Sequence, residues 1–436
     1  MNALSSTILV VLAAVVIISS SRRWALLGMM AGILYLPQSS SLSVFNFNMF
    51  AFRFLEIAGI VRIIARREIR FSEMNGLDHL FLIVYGYATF VFLLRSPEGQ
   101  TYQIGLFVDA TISYFIFRGL ICEIGDFRWL LKALVILLVP YVALVFVEMR
   151  TSNNLFSLLG SIEMGGGMRD GKMRCVGSFQ HPSLLGTLGA SFLPLYIAFF
   201  LDQEQRRWGF TGIILCGLLV LLSNSGGPAA ALGVGIVCWC LWPIRYRMQI
   251  IRWTVLCIIC LLALFMKAPI WFLPARISDI VGGDGFHRSY LMDCAIRDLS
   301  KWWFSGMPIV DTANWFPYVV PATGGADITN QYLFFGVTGG LLAIILFILL
   351  LIKCYSLLGN AMRQLRATSS APTGNEFLLW GLGVMLTVHI SNWFGIRYFD
   401  QTYNLWFMQL AAISVTKAEV LPKVKTKNGV VFGAFQ

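Results

Sequence analysis

The chain has 436 residues, of which 57% are hydrophobic and only 13% charged, and its mean hydropathy is +0.73. A soluble core cannot absorb that much apolar sequence, and no strands of alternating polarity suggest a β-barrel, so the composition points to an all-α, polytopic integral membrane protein. The net charge of +11 would suit nucleic acid, but Lys and Arg collect in short connections between apolar runs, so no nucleic-acid partner is expected.

Thirteen apolar segments follow one another, at about 3–20, 24–38, 45–62, 77–94, 104–122, 129–147, 183–201, 208–223, 228–244, 253–269, 330–352, 376–393 and 402–416. The second is short and the first two can be redrawn, which gives about 12 or 13 spans. The first, Ala3 to Ser19, lacks a basic n-region and a small-residue cleavage site, and reads as a retained span. Basic residues cluster at Arg22-Arg23, Arg62 to Arg70, Arg206-Arg207, Arg245 to Arg252, Lys353 to Arg366 and Lys417 to Lys427. Placing all six clusters in the cytoplasm gives a consistent alternation, with the carboxyl tail inside and two long loops, Glu148–Pro182 and Lys267–Asn330, outside. The chain thus divides into an N-terminal bundle (1–147), a first outer loop (148–182), further spans (183–269), a large outer loop (267–330), C-terminal spans (330–416) and a tail (417–436).

In the N-terminal bundle, Arg53, Glu56, Asp109 and Arg118 lie at membrane depth, where ionisable groups are expensive. Arg53 and Glu56 are three apart and are expected to pair, while Arg118 lies near the cytoplasmic end and can snorkel. The first outer loop is rich in glycine, hence flexible or tightly turned, and carries Arg169, Lys172 and Arg174. It enters a span at His181-Pro182, where His181 either caps the helix or faces a substrate. Cys175 and Cys294 fall in the two outer loops and could pair if the outside is oxidising. The remaining cysteines lie in or beside spans, and no Cys/His spacing suggests a metal site. The turn SNSGGPAAALG, Ser223–Gly233, suits close helix packing.

The large outer loop contains a helical pattern from about His287, with Leu291, Met292, Ala295, Leu299, Trp302 and Trp303 on its apolar face. Arg288 falls on that face in the first turn, where a cation opposes the helix dipole and a buried guanidinium needs a partner. Either an anion bound by Arg288 and the free N–H groups, or an internal salt bridge to Asp279, Asp284 or Asp327, would satisfy it. No P-loop, GxSxG, HExxH or dinucleotide fingerprint occurs, so an enzyme acting outside the membrane would need a substrate carrying its own energy. A lipid-linked pyrophosphate fits that need.

Three stretches resemble the bacterial O-antigen ligase/O-antigen polymerase superfamily: RDGKMRCVGSFQHPSLLGTLGASFLPLY (Arg169–Tyr196), PARISDIVGGDGFHRSYLMDCAIRDLSKWWFSG in the large loop, and ADITNQYLFFGVTGGLLAIILF ending at Phe347. The resemblance implies a GT-C-like membrane glycosyltransferase, inverting and independent of metal or other cofactor, with its active site on the periplasmic side of the inner membrane. Its donor would be an undecaprenyl-pyrophosphate-linked oligosaccharide and its acceptor a glycan or another lipid-linked unit, with other polysaccharide assembly proteins as potential partners. By position, Arg174, Arg276 and Arg288 match the arginines that hold the pyrophosphate, and Arg169, Asn330 and Trp302 are further candidate substrate contacts. The family's His-Asn pair is replaced by Asp327 and Asn330, which lowers the ligase reading; Asp327 is then either a general base or a helix cap, with His287 and His181 as other candidate bases. Many members carry an arginine where this chain has Ser225–Pro228 (SGGP), so no phosphate contact is expected from that turn. Trp302, Trp303, Trp315 and Tyr318 could stack on sugars or anchor the loop at the interface. A lipid-linked sugar transporter or flippase is the alternative of a different class.

Overall fold

The computed structural model describes residues 4–39, 41–44, 47–69, 73–96, 99–161, 166–169, 171–281, 284–315, 319–320, 323–368, 372–416, 425–426 and 429–430. Each of the thirteen apolar segments contains a helix. These are α1 (Leu4–Ser19), α2 (Arg22–Tyr35), α3 (Ala51–Arg66), α4 (Gly76–Arg95), α5 (Gln100–Leu120), α6 (Ile124–Thr151), α7 (Pro182–Leu201), α8 (Arg206–Ser223), α9 (Gly226–Cys240) and α10 (Met248–Phe265). Three short helices of the large loop follow, α11 (Leu273–Val281), α12 (Gly285–Arg297) and α13 (Leu299–Trp302), and then α14 (Gln331–Thr368), α15 (Gly374–Asn392) and α16 (Thr402–Val415). Six helices among the described residues are long and apolar enough to cross a membrane, which makes this a helical membrane protein. Among the described residues strand is confined to two-residue to four-residue hairpin arms, such as β1 (Ser41–Val44) with β2 (Phe47–Phe50) and β3 (Gly167–Arg169) with β4 (Lys172–Arg174).

The basic connections meet at one end of the bundle. Arg62 and Arg66, at the end of α3, donate to the carbonyls of residues 17 to 20 that end α1. Arg23 reaches Asp126 at the start of α6, Arg128 reaches Asp202 after α7, and Arg245 and Arg366 share Glu376 at the start of α15. Such contacts satisfy helix-end carbonyls and pair charges at the edge of the apolar layer. The two long loops gather at the opposite, loop end.

α7 is the central helix, buried along nearly its whole length. Small residues let its neighbours close in. A Cβ on Gly189 would stand 2.4 Å from the Cys216 carbonyl of α8, and one on Gly186 2.9 Å from Pro228 of α9. Residues of α14 run well past the apolar segment and the helix is broken at Gly340, whose φ is +74°. The break is bridged from outside: Leu341 N–H donates to the Trp303 carbonyl, and Arg95 donates to the carbonyls of Ser305 and Val337.

Several details differ from the sequence expectations. Arg53 pairs bidentately with Asp109 of α5, at 2.6 and 2.9 Å, rather than with Glu56, which accepts from Ser113 Oγ at 2.5 Å. A cross-helix carboxylate gives the guanidinium better fork geometry than a neighbour three residues on. Arg118 lies 3.4 Å from Asp78 instead of snorkelling. Cys175 and Cys294 sit in separate apolar clusters and are not joined. The pattern from His287 to Trp303 is two helices, because the chain breaks at Asp298, whose side chain binds Trp315 Nε1 at 2.7 Å.

Candidate functional site

A cavity of about 1290 Å³ opens among the loop ends of α3, α5, α7, α9, α14 and α16. Its basic wall is built by β3 and β4. In their register Arg169 faces Lys172 and Gly167 faces Arg174, so period-2 alternation puts the three cations on one face of the hairpin. All three line the cavity. The hairpin is pinned by Glu148 at the end of α6, whose carboxylate accepts the N–H groups of Val176 at 2.7 Å and Gly177 at 2.9 Å. Gly177 takes φ +60° beneath the Tyr141 hydroxyl, where a Cβ would collide at 2.6 Å. This buried turn carries Arg174 on one side and His181 on the other.

His181 is the N-cap of α7, its Nδ1 accepting the Ser183 N–H at 3.1 Å. Burial, with Arg174 and Arg288 nearby, pushes its pKa down to about 4, so the ring is neutral and its other nitrogen carries the proton. In that tautomer His181 offers a donor to the cavity, and its lone pair is already committed to the cap. The general-base expectation for His181 is therefore not supported by its geometry.

Arg288 projects from α12 into the space between two glycines. A Cβ on Gly395 would stand 3.1 Å from its Cζ, and one on Gly227 3.5 Å from Nη2. The SGGP turn thus holds no arginine of its own but makes room for this one. Arg288 forms no salt bridge or hydrogen bond with Asp279, Asp284, Asp327 or any other described residue. Burial lowers its pKa, Asp284 opposes that shift, and Arg169 and Arg174 reinforce it. The helix N-terminus itself is capped by Asp284, whose Oδ1 accepts the His287 N–H at 3.1 Å. One of the N–H groups that the sequence offered to an anion is thus already taken by Asp284.

His287 and Asp327 both line the cavity, with Asp327 exposed to it. His287 sits 3.6 Å from Asp284; burial lowers its pKa, while Asp284 and Asp327 pull it back up. Asp327 does not cap α14. Asn330 does, its Oδ1 accepting the N–H groups of Tyr332 at 2.9 Å and Leu333 at 3.0 Å, so Asn330 is buried in structure and absent from the cavity wall. Trp302 is likewise internal, buried with Nε1 donating to the Ala295 carbonyl and its ring packed over Gly336. Arg276 is exposed, 4.0 Å from Asp279, and does not reach the cavity. Trp315 is buried and Trp303 exposed, neither on the cavity wall; Tyr318 lies outside the described residues.

Two charged cavity residues escaped the sequence reading, Arg397 and Asp400, in the short turn before α16. Arg397 lies over the Phe334 ring at 4.2 Å. Asp400 accepts the N–H groups of Gln180 and Thr402, each at 3.0 Å, tying the His181 turn to α16. Burial pushes Asp400 up to about 7 against those hydrogen bonds. The segment RYFD between two apolar runs was the available signal. Among the described residues no group of three His, Cys, Asp or Glu side chains is placed to hold a metal ion.

In comparison with known proteins, no family model matches the chain and no curated protein matches it.

Proposed function

We propose that the chain is a membrane glycosyltransferase of GT-C-like architecture, with 12 or 13 spans, that polymerises oligosaccharide units carried on undecaprenyl pyrophosphate. The cavity would then face the periplasm of a bacterial inner membrane, since the basic connections gather at the opposite end. The observation that carries this reading is Arg288: a largely enclosed guanidinium with no salt bridge among the described residues, facing a large cavity together with Arg169, Lys172 and Arg174. Arg169 and Arg174 repel Arg288 and Asp284 offsets part of that repulsion, so an anion entering beside Arg288 would be favoured, and planar guanidinium groups suit the oxygens of a diphosphate.

In this scheme an acceptor hydroxyl attacks the anomeric carbon, the bond from that carbon to the diphosphate oxygen breaks, and the hydroxyl proton passes to Asp327. Arg174 and Arg288 stabilise the charge that grows on the departing diphosphate, and the protonated nitrogen of neutral His181 adds a hydrogen bond. His287 is the alternative proton acceptor, since its lowered pKa keeps the ring neutral. Transfer to lipid A-core, as a ligase would perform, uses the same chemistry with another acceptor.

A flippase reading has one observation in its favour: the cavity also reaches Arg53, Glu56 and Asp109 within α3 and α5. Purified protein in nanodiscs with a lipid-linked repeat unit separates the three. A ladder on a gel supports the polymerase, transfer only on adding lipid A-core supports the ligase, and bilayer crossing of the lipid-linked sugar without transfer refutes both.

A further inference from the structure

We propose that the inner half of the cavity is a separate carbohydrate subsite that takes the sugar of the acceptor, with Asp109 and Glu56 as its hydrogen-bond acceptors. The identity of the ligand rests on the glycosyl-transfer reading; the existence of a second pole does not. The cavity is electrically divided. Its loop-side wall carries Arg169, Lys172, Arg174, Arg288 and Arg397 against Asp284, Asp327 and Asp400, an excess of cations, whereas its inner wall carries two carboxyl groups, Glu56 and Asp109, against the single guanidinium of Arg53.

Carboxyl oxygens accept from the hydroxyl donors of a sugar and offer a diphosphate no cation to bind. Glu56 is only 4% exposed, yet lines the cavity and receives one hydrogen bond among the described residues, from Ser113. A carboxylate has about four acceptor positions, so most of its capacity remains for a ligand. Asp109 is clamped by Arg53 from one side and still 26% exposed at its side chain. The clamp is itself shaped: Gly105 lets Arg53 Nη2 lie against α5, where a Cβ would stand 3.2 Å away. Aromatic surface completes the wall, with Tyr85 and Tyr403 packed on Phe407 and Tyr102 largely exposed beside them. Rings of this kind stack on the apolar faces of sugars and offer a hydroxyl at the rim. A purely structural ion pair would need neither the second carboxylate nor the open space in front of it.

Binding is tested with two probes on the full-length protein in nanodiscs: a prenyl pyrophosphate without sugar, and the free oligosaccharide released by mild acid from the lipid-linked glycan of the source cells. Asp109→Asn and Glu56→Gln should each weaken oligosaccharide binding at least roughly tenfold, the loss of one charge-assisted hydrogen bond, and leave prenyl pyrophosphate binding unchanged. Arg288→Ala should do the reverse. Tyr102→Ala, at a largely exposed position, should also weaken the oligosaccharide alone. Oligosaccharide that binds all three inner variants like the wild type, or that does not bind the wild type, overturns the subsite. Oligosaccharide binding lost in Asp109→Asn, with no prenyl pyrophosphate binding to wild type, keeps the subsite and removes the donor side of the glycosyl-transfer reading.

Discussion

Replacing Arg288 by alanine separates a ligand-holding arginine from a structural one. The side chain forms no salt bridge among the described residues; Asp284 attracts it from a distance, while Arg169 and Arg174 repel it. A largely enclosed arginine that anchored the fold through a buried salt bridge would cost about 3–5 kcal/mol on removal. Here the expected change in stability of the ligand-free protein lies within about 1 kcal/mol of zero, since the lost attraction of Asp284 is offset by relief of the repulsion from Arg169 and Arg174. The rate, by contrast, should fall. Losing a preorganised donor from the departing diphosphate costs about 3–4 kcal/mol of transition-state stabilisation, or roughly 10²–10³-fold in rate. Arg288→Lys keeps the charge but loses the fork, and should fall between wild type and alanine. Thermal melting in detergent and initial rates of transfer from a lipid-linked donor read the two effects on the same preparations. A variant that melts several degrees lower and transfers at the wild-type rate refutes the reasoning.

Four further outcomes follow from the geometry. Gly395→Ala places a methyl group 3.1 Å from the Arg288 guanidinium carbon, so the group must shift by a few tenths of an ångström; transfer should slow by about tenfold with little change in melting. Asp400, raised to about 7, binds its proton more tightly in the fold than in the unfolded chain; its contribution is therefore full below about pH 4 and lost as pH rises to about 7. Asp400→Asn should flatten that part of the pH dependence of melting. His181→Ala removes the cap of α7 at a cost of about 1 kcal/mol, whereas His181→Asn should melt like wild type because asparagine also accepts the Ser183 N–H. Arg276→Ala, at an exposed position away from the cavity, should change the transfer rate by less than about twofold.

The helical segments were legible because hydropathy and the placement of basic residues are properties of the chain itself. Arg62, Arg128, Arg245 and Arg366 do gather at one end, as charge segregation between connections implied. Arg288 and His181 were also legible, as polar residues at loop mouths, whereas Arg174, His287 and Asp327 were singled out only through the resemblance; the fold brings all five around one cavity. Partners across helices were not. Nothing near Arg53 in sequence points to Asp109, 56 positions away, and the nearer Glu56 was the natural local choice. The β3–β4 hairpin had a signal that went unused, the Asp-Gly pair between MR and KMR, which alternation converts into a single basic face. Whether Asn330 or Asp327 caps α14 depends on the backbone entering at Ile328–Thr329, which periodicity does not describe. Arg276 and Arg288 look alike as loop arginines; only tertiary packing exposes the first and encloses the second between glycines.

The most direct measurement is an electron cryo-microscopy structure of the protein in nanodiscs with undecaprenyl pyrophosphate bound. The expected density places the diphosphate against Arg174 and Arg288, over Gly227 and Gly395 and within hydrogen-bond reach of His181. A lipid diphosphate held elsewhere, with Arg288 turned to a carboxylate of its own chain, would contradict the central claim.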